Sequence, residues 1–240
     1  MPSGLELLSP WPPGWGMTLL AGFWASIQIA VGGFGCGLLI GMAGALGKLN
    51  GGPVVRDLLA CYTTLVRAVP ELVLIVLLYY AGGDLLNRAF ALFGAGPVEL
   101  SGFAAGVFVI AVVQGAYSTE VIRGAIQAVP AGEVEAGRAF GMSERLLARR
   151  IVLPAMLAHA IPGLSNLWLI ATKDTALLAV VGFTELTLAT RQAAGATKAY
   201  FLFFCAAGLL YLLLTLGSNL LFGRIEAYAR RGQRREAGAS

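Results

Sequence analysis

Charged residues are scarce in this chain of 240 residues. Lys, Arg, Asp and Glu make up 12 % of the sequence, whereas a soluble domain usually has about 25 %. Residues 7–47 contain none of them, and the runs 100–119, 151–172 and 199–223 are also uncharged. Each run reaches the roughly 20 apolar residues that a helix needs to cross a bilayer. The shortage of charge therefore excludes an ordinary soluble domain and predicts an integral membrane protein.

A fifth candidate span follows Asp57, where the sequence up to Gly83 is apolar except for Arg67 and Glu71. Because hydrocarbon offers no water to satisfy the backbone, the spans are expected to be helices. We therefore predict an all-α integral membrane bundle, with a transmembrane domain at residues 18–223. Its five spans are expected at about 18–47, 57–83, 99–122, 152–173 and 199–223.

Cysteine and catalytic motifs are also rare. Cys36, Cys61 and Cys205 lie in or beside the predicted spans, where they indicate no disulfide framework or metal site and are expected to be buried. No GxxxxGK[ST] phosphate-binding loop occurs, so the chain is not expected to hydrolyse ATP or to hold a cofactor or metal. Nothing indicates nucleic-acid binding. Residues 1–17 carry Glu6 and no Lys or Arg, which argues against a secretory signal.

Positive charge is distributed unevenly between the two sides that five spans define. The segments after spans one, three and five carry 12 Lys or Arg residues, and the other side carries four. Lys and Arg accumulate in the cytoplasm. This asymmetry predicts that residues 1–17 lie outside and that the basic tail 224–240 is cytoplasmic. The tail is interpreted as a topology anchor, with contact to anionic membrane lipid as an alternative.

The segment EAGRAFGMSERLLARRIVLP, residues 135–154, stands out because it carries six charged residues between two apolar runs. Pro130 and Glu133 are typical of a helix start, Gly141 is typical of a helix end, and Ser143 can cap a second helix. The pattern predicts two short cytoplasmic helices joined at a glycine. These residues fit a docking element for a soluble partner, and they also fit an amphipathic loop that rests on the membrane.

The spacing within this segment resembles a known signature. Glu135-Ala136-Gly137, three residues, Gly141, nine residues, Ile151, one residue and Leu153-Pro154 follow one another in this order. This resembles the EAA loop of ATP-binding cassette (ABC) importer permeases, with Gly137 where that family usually has alanine. The resemblance implies that residues 130–154 contain a coupling helix that binds an ATPase subunit. The implied coupling residues are Glu133, Glu135, Ala136, Gly137, Phe140, Gly141 and Ser143.

The resemblance extends over most of the chain. YTTLVRAVPELVLIVLLYY (62–80), QGAYSTEVIRGAIQAVPAGEVEAGRAFGMS (114–143) and TKDTALLAVVG (172–182) resemble the polar amino-acid permeases, and RAVPE at 67–71 resembles the Q-type subunits of histidine/lysine/arginine/ornithine importers. The family implies a type I ABC importer permease bundle in the bacterial inner membrane. Its implied partners are a second permease (a paralogue or another copy), an ABC ATPase dimer and an external substrate-binding protein. ATP and Mg²⁺ would bind the ATPase.

Polar residues inside the predicted spans are candidates for the substrate path, because such groups usually face the bundle interior or a water-filled cavity. These candidates are Arg67, Glu71, Gln114, Tyr117, Ser118, Glu120, Lys173, Asp174 and Thr175. Arg67 and Glu71 are four residues apart, so an ion pair on one helical face is the structural alternative for them. Pro70 between them predicts a kink.

The other candidates have structural alternatives as well. Gln114 and Tyr117 can form hydrogen bonds with a neighbouring helix instead of binding cargo. Glu120 can pair with Arg123 at the cytoplasmic end of its span. Residues 173–175 can form a charged helix end at the level of the lipid headgroups. The sequence leaves these alternatives open.

Residues and resemblance together predict the permease subunit of an ATP-driven importer for a polar, cationic amino acid. Histidine, arginine, lysine, ornithine and opine-like compounds are the expected class of cargo. The carboxylates of Glu71, Glu120 and Asp174 favour it, because burying a carboxylate is unfavourable unless a cation or hydrogen bonds compensate. A permease for another small solute is one alternative, and an ATP-independent channel or secondary carrier is the other.

Overall fold

The computed structural model describes residues 4–92 and 101–230, and every regular element in these ranges is helical. The α-helices are α1 (Gly4–Leu7), α2 (Gly16–Asn50), α3 (Pro53–Ala68), α4 (Glu71–Leu92), α5 (Gly102–Gln127), α6 (Ala131–Ala139), α7 (Glu144–Leu147), α8 (Leu153–Asp174), α9 (Leu186–Thr197) and α10 (Tyr200–Ala229). A π-helical turn, Ala148–Val152, joins α7 to α8, and a 3₁₀ helix, Thr175–Val181, follows α8.

Four helices are long and apolar enough to cross a membrane. They are α2, α5, the continuous helical run from Glu144 to Val181 that contains α8, and α10. α3 and α4 together make a fifth candidate, bent by 118°. The predicted all-α membrane bundle is confirmed, because four to five apolar helices make up the described chain.

The predicted kink at Pro70 is a complete break between α3 and α4. Proline has no backbone N–H and disfavours helical geometry in the residue before it. Val69 accordingly adopts extended backbone angles, φ −90° and ψ 138°. Arg67 lies in the last turn of α3 and Glu71 begins α4. The expectation that these two residues share one helical face is therefore wrong, because the chain changes direction between them.

Some predicted segments reach beyond the described residues. Residues 1–3 of the N-terminal segment, residues 99–100 of the third predicted span and residues 231–240 of the basic tail lie outside the described ranges. Within them, α10 continues six residues past the predicted end of the fifth span at 223. The first part of the expected tail is therefore a helical extension of α10.

Helix α2 packs against α5 through small residues. Gly33, Gly37 and Gly41 recur at four-residue steps and are buried. A Cβ atom at Gly37 would lie 2.9 Å from the Cβ atom of Gln114, and one at Gly41 would overlap Ser118. The absence of side chains lets the two helix backbones approach closely. This packing fixes the position of α5, which carries several of the candidate path residues.

The central core joins α2, α4, α5 and α8 and includes Ile29, Ile75, Val109 and Leu167. Many large apolar side chains instead point outward, among them Phe201, which is 85 % exposed. In a membrane protein such surfaces face lipid or other subunits. The prediction that the three cysteines are buried is wrong, since all three are exposed. A small apolar thiol has little reason to avoid the hydrocarbon of the bilayer.

Candidate coupling surface and buried polar cluster

The predicted glycine joint is present between α6 and α7. Gly141 has a φ angle of 73°, in the left-handed region that glycine adopts without steric cost. The N–H of Met142 donates to the carbonyl of Gly137 at 3.1 Å, and the N–H of Gly141 donates to the carbonyl of Arg138 at 2.9 Å. This pair of hydrogen bonds is a Schellman motif. It ends α6 sharply and redirects the chain.

An ion pair bridges the joint. The guanidinium of Arg138 donates to both carboxylate oxygens of Glu144, at 2.9 and 3.2 Å. These hydrogen bonds and the negative charge of Glu144 raise the pKa of Arg138. Ser143 occupies the N-cap position of α7, but its side chain makes no capping hydrogen bond, so the expected side-chain cap is wrong. The ion pair, rather than a serine cap, therefore ties α6 to α7.

Gly137 forms the packed underside of α6. It is buried, and a Cβ atom there would lie 2.7 Å from Cδ1 of Ile151 and 3.0 Å from Cδ1 of Leu147. Glycine thus lets α6 rest directly on α7 and on the turn that leads into α8. An alanine here would displace only the ends of these two flexible side chains.

Several residues of α6 and its C-terminal cap are exposed. Glu133, Glu135 and Ala136 are exposed, and the phenyl ring of Phe140 is 86 % exposed. A large apolar side chain held in the open is typical of a protein interface. Acidic side chains beside it are unfavourable near an anionic membrane surface. We call these four exposed residues, Glu133, Glu135, Ala136 and Phe140, the coupling surface.

A second polar region lies inside the bundle, where α4, α5 and α8 meet. Nε2 of Gln114 donates to Oδ2 of Asp174 at 3.2 Å, and both residues are buried. The Glu71 side chain lies close to Asp174 and Tyr117. Arg67 is within cation–π range of Tyr117, at 6.0 Å from the ring centroid. Gln114 and Asp174 are buried, Glu71 and Tyr117 are half-buried, and Arg67 is exposed at the edge. We call these five residues the buried polar cluster.

The break at Pro70 is what brings these groups together. It places Glu71 at the start of α4 and leaves Arg67 at the end of α3, so that the two residues approach Tyr117 from different helices. In the part of the chain that the structure describes, no Arg67–Glu71 ion pair is present. The structural pair considered from the sequence is therefore wrong.

The remaining path candidates lie elsewhere. Ser118 is buried against Gly41 of α2, and the side chain of Lys173 is exposed. The hydroxyl of Thr175 is buried and donates to the carbonyl of Thr172 at 2.9 Å. Asp174 is buried next to Gln114, so residues 173–175 do not behave as one charged helix end. Only Asp174 of the three joins the buried polar cluster.

Glu120 belongs to a separate charged network. One of its oxygens accepts from Arg123 at 2.8 Å, which is the pairing considered from the sequence, and the other accepts from Nζ of Lys48 at 2.5 Å. Lys48 also donates to the hydroxyl of Thr63 at 2.6 Å. The sequence reasoning missed Lys48 and Thr63. Lys48 is the first charged residue after the long uncharged run. Its position at the end of an apolar span was the available signal.

Glu185 was missed as well. Its fully buried carboxylate accepts from the backbone N–H groups of Thr187 and Leu188, both at 2.8 Å, and from the hydroxyl of Tyr211 at 3.2 Å. The hydroxyl of Ser26 donates to it at 3.3 Å. The carboxylate thereby caps α9 and connects it with α2 and α10. A lone acidic residue in an apolar stretch was the available signal.

Comparison with known proteins gives a consistent result. The family described as "Binding-protein-dependent transport system inner membrane component" matches residues 33–231. The chain is 38 % identical over 231 residues to the octopine transport system permease protein OccQ of Rhizobium radiobacter, covering 96 % of this chain and 98 % of the relative. It is 36 % identical over 211 residues to the histidine/lysine/arginine/ornithine transport system permease protein HisQ of Escherichia coli (strain K12), covering 87 % and 92 %.

The fold is similar to a solved structure as well. A crystal structure of an amino acid ABC transporter with histidines matches with a TM-score of 0.75 and 26 % sequence identity. The match covers 89 % of this chain and 95 % of that chain. The resemblance identified from the sequence is thereby confirmed.

Proposed function

This chain belongs to the family of binding-protein-dependent transport system inner membrane components, and on that premise we propose that it imports cationic amino acids or opines as the permease subunit of an ABC importer. It is a multi-pass inner-membrane transport component and not an enzyme. The relatives support this class of cargo, since their names specify octopine in one case and histidine, lysine, arginine or ornithine in the other. A basic side chain is common to all of these compounds.

The buried polar cluster is the observation that carries the choice of cargo. Glu71, which is half-buried, and Asp174, which is buried, place two carboxyl groups close together. Of the two cations nearby, Arg67 lies over the ring of Tyr117, and Lys173, the neighbour of Asp174, has an exposed side chain. Removing a carboxylate from water costs several kcal/mol unless a cation or hydrogen bonds compensate. A guanidinium or ammonium group that passes the cluster supplies that compensation.

Gln114 adds a hydrogen-bond acceptor to this site. Its amide nitrogen is used by Asp174, but its Oε1 atom is buried and has no partner. Buried polar atoms are nearly always satisfied. A donor group on the cargo, or a water that precedes it, can satisfy Oε1. Acidic cargo offers no such donor on its side chain and would be repelled by the two carboxylates.

The cargo proposal is tested by Glu71→Gln in the importer reconstituted with its ATPase, its second permease and the binding protein loaded with arginine. Loss of a charged hydrogen bond of about 1.5–3 kcal/mol reduces transport by roughly tenfold or more while the complex still assembles. Asp84→Asn is the matched control, because Asp84 is an exposed carboxylate on the same helix. Unchanged arginine transport by Glu71→Gln, or an equal loss with Asp84→Asn, would contradict the proposal.

The coupling surface is proposed to bind the ATPase. Its phenyl ring and carboxylates are exposed, and the Arg138–Glu144 ion pair ties α6 to α7. These features favour a protein partner over a membrane surface. ATP and Mg²⁺ bind the ATPase dimer in this scheme, and ATP binding draws the coupling segments of two permeases together. The second permease, a paralogue or another copy of this chain, packs on outward apolar faces. An external substrate-binding protein delivers the cargo.

The orientation of the chain is part of the same proposal, with the N-terminus outside and the C-terminus in the cytoplasm. It rests on the excess of Lys and Arg on the side of the coupling segment. In a variant whose three cysteines are replaced by alanine, a single cysteine at Ser240 should react with a membrane-impermeant maleimide only after the cells are opened. Labelling of intact cells would contradict the proposed orientation.

A further inference from the structure

A groove of about 670 Å³ opens on the outside of the bundle between the ends of α2 and α5 and the entry to α8. Its wall is apolar and includes Met42, Leu46, Ile126, Leu153 and Met156. Met156 and its neighbours in α2 and α5 form a packed apolar cluster beneath it. The groove shares no lining residue with the buried polar cluster or with the coupling surface.

The groove is polar at one end only. Asn50, Arg145 and Arg149 line it together with the apolar wall. Met42 precedes Asn50 by eight residues in α2, which is about 12 Å at 1.5 Å per residue. Met156 follows Arg149 by seven residues, about 10 Å along the opposite helix. Because α2 runs toward this end and α8 runs away from it, both walls change from polar to apolar in the same direction.

The two arginines are free to bind an anion. Within the described residues, Arg123, Arg138 and Arg230 each pair with a glutamate, whereas Arg145 and Arg149 have no ion-pair partner. They are four residues apart, so they project from the same side of the helical segment. None of the described residues lining the groove is acidic. The positive charge at this end is therefore uncompensated.

We propose that this groove binds an anionic phospholipid from the leaflet on the side of the coupling segment. The lipid phosphate is held by the guanidinium groups of Arg145 and Arg149, which bind phosphate oxygens through paired hydrogen bonds. The side-chain amide of Asn50 provides a further donor. The upper part of an acyl chain lies along the apolar wall between α2 and α8, where it is removed from contact with water.

The shape of the groove favours a lipid over a soluble anion, because a free phosphate has no apolar surface to bury against an apolar wall about 10 Å long. The placement of the charges also favours a lipid over the protein partner of the coupling surface, because Arg145 and Arg149 line the groove and not the coupling surface. Arg150, the neighbour of Arg149, lines a different recess that also contains Glu133 and Phe140. The helical segment therefore presents Arg150 toward the coupling surface and Arg145 and Arg149 toward the groove.

A lipid in this position touches α2 and the segment that joins the coupling surface to α8. It would thus hold the coupling segment against the first span. This role is independent of the identity of the cargo, and it applies to the assembled importer in its membrane.

The test uses the full chain, assembled with its partner subunits, in phosphatidylcholine nanodiscs. The discs carry either phosphatidylglycerol or phosphatidylcholine with a diazirine in the acyl chain. After photolysis, peptides that contain Leu46, Ile126 and Met156 should be labelled preferentially by phosphatidylglycerol. Arg149→Gln should reduce this labelling roughly fivefold, the effect expected for about one basic residue near a lipid surface, and Arg145→Gln should do the same.

Three further variants test whether labelling depends on this groove or on general charge attraction. Arg150→Gln removes the same charge one residue away and should leave the labelling unchanged. Arg149→Lys keeps the charge but not the paired hydrogen bonds and should reduce labelling less than Arg149→Gln does. Ala148→Trp fills the groove without changing charge and should abolish labelling. Equal labelling by both lipids, or an equal loss with Arg150→Gln, would overturn the proposal. Labelling of the isolated chain that disappears in the assembled importer would show instead that a partner subunit covers the groove.

Discussion

The coupling surface and the buried polar cluster are both polar regions of an apolar protein, but they are assembled from different distances along the chain. The coupling segment is held by local contacts, such as the Arg138–Glu144 pair across six positions. In the cluster, Gln114 and Asp174 are 60 positions apart. The first region therefore keeps its form through its own hydrogen bonds, while the second exists only when several helices have packed.

The two regions also differ in their contact with water. Phe140 and Glu135 are exposed, so the coupling surface is ready to lose water when a partner binds. Gln114 and Asp174 have already lost it. A buried polar group without a partner costs about 1–3 kcal/mol, whereas an exposed one costs little. Substitutions should accordingly impair binding in the first region and stability in the second.

The largest effect is expected from Glu135→Lys on the coupling surface. Reversing an exposed charge at an interface hot spot weakens binding by about 2 kcal/mol or more, which is roughly thirtyfold. The ATPase should no longer co-purify, and uptake should fall to near background, while the chain inserts and folds normally. Pull-down of the ATPase and a transport assay measure this. Gly141→Arg, which distorts the joint, should have the same effect.

Asp57→Lys is the matched control for that substitution. Asp57 is an exposed carboxylate on α3, outside the coupling surface. It should leave co-purification of the ATPase unchanged. If Glu135→Lys retains the ATPase at the original yield with normal uptake, residues 130–154 are not the docking site.

A smaller effect is expected from Gln114→Leu in the buried polar cluster. This substitution removes the hydrogen bond to Asp174 and leaves a buried carboxyl group without that donor, so we expect a loss of about 1–3 kcal/mol in stability. Ser118→Ala on the same helix is the control. Its hydroxyl is buried and has no partner, so removing it should cost nothing. Thermal unfolding of the purified protein, followed by size-exclusion chromatography, compares the two, and equal melting temperatures would argue against the Gln114–Asp174 bond.

The smallest effects are expected from alanine substitutions at two glycines of the coupling segment. Gly141→Ala forces a side chain into a left-handed conformation and should cost about 1 kcal/mol of local stability. Gly137→Ala meets only the ends of two flexible side chains and gains helix propensity, so it should be close to neutral. Hydrogen exchange of the amides in α6 measures both. Faster exchange in Gly137→Ala than in Gly141→Ala would reverse the roles given to these residues.

Much of this protein follows from local sequence. The uncharged runs determined that long apolar helices form, because a bilayer accepts no other continuous apolar segment with a satisfied backbone. Gly141 and its neighbours determined the joint of the coupling segment, because a left-handed turn depends on a few adjacent residues. Pro70 determined that the helix is interrupted, although the sequence did not reveal that the bend reaches 118°.

The tertiary structure alone decided which polar groups meet. Glu120 and Asp174 look alike in the sequence as acidic residues near the ends of apolar runs. Helical spacing already places Arg123 beside Glu120, but only packing adds Lys48 to it. Packing gives Asp174 an amide and a neighbouring carboxyl group instead. Helical periodicity specifies the face of a helix on which a residue lies, but the partner of that face depends on how close the backbones come. Small residues such as Gly37 and Gly41 set that distance only after α2 and α5 have packed together.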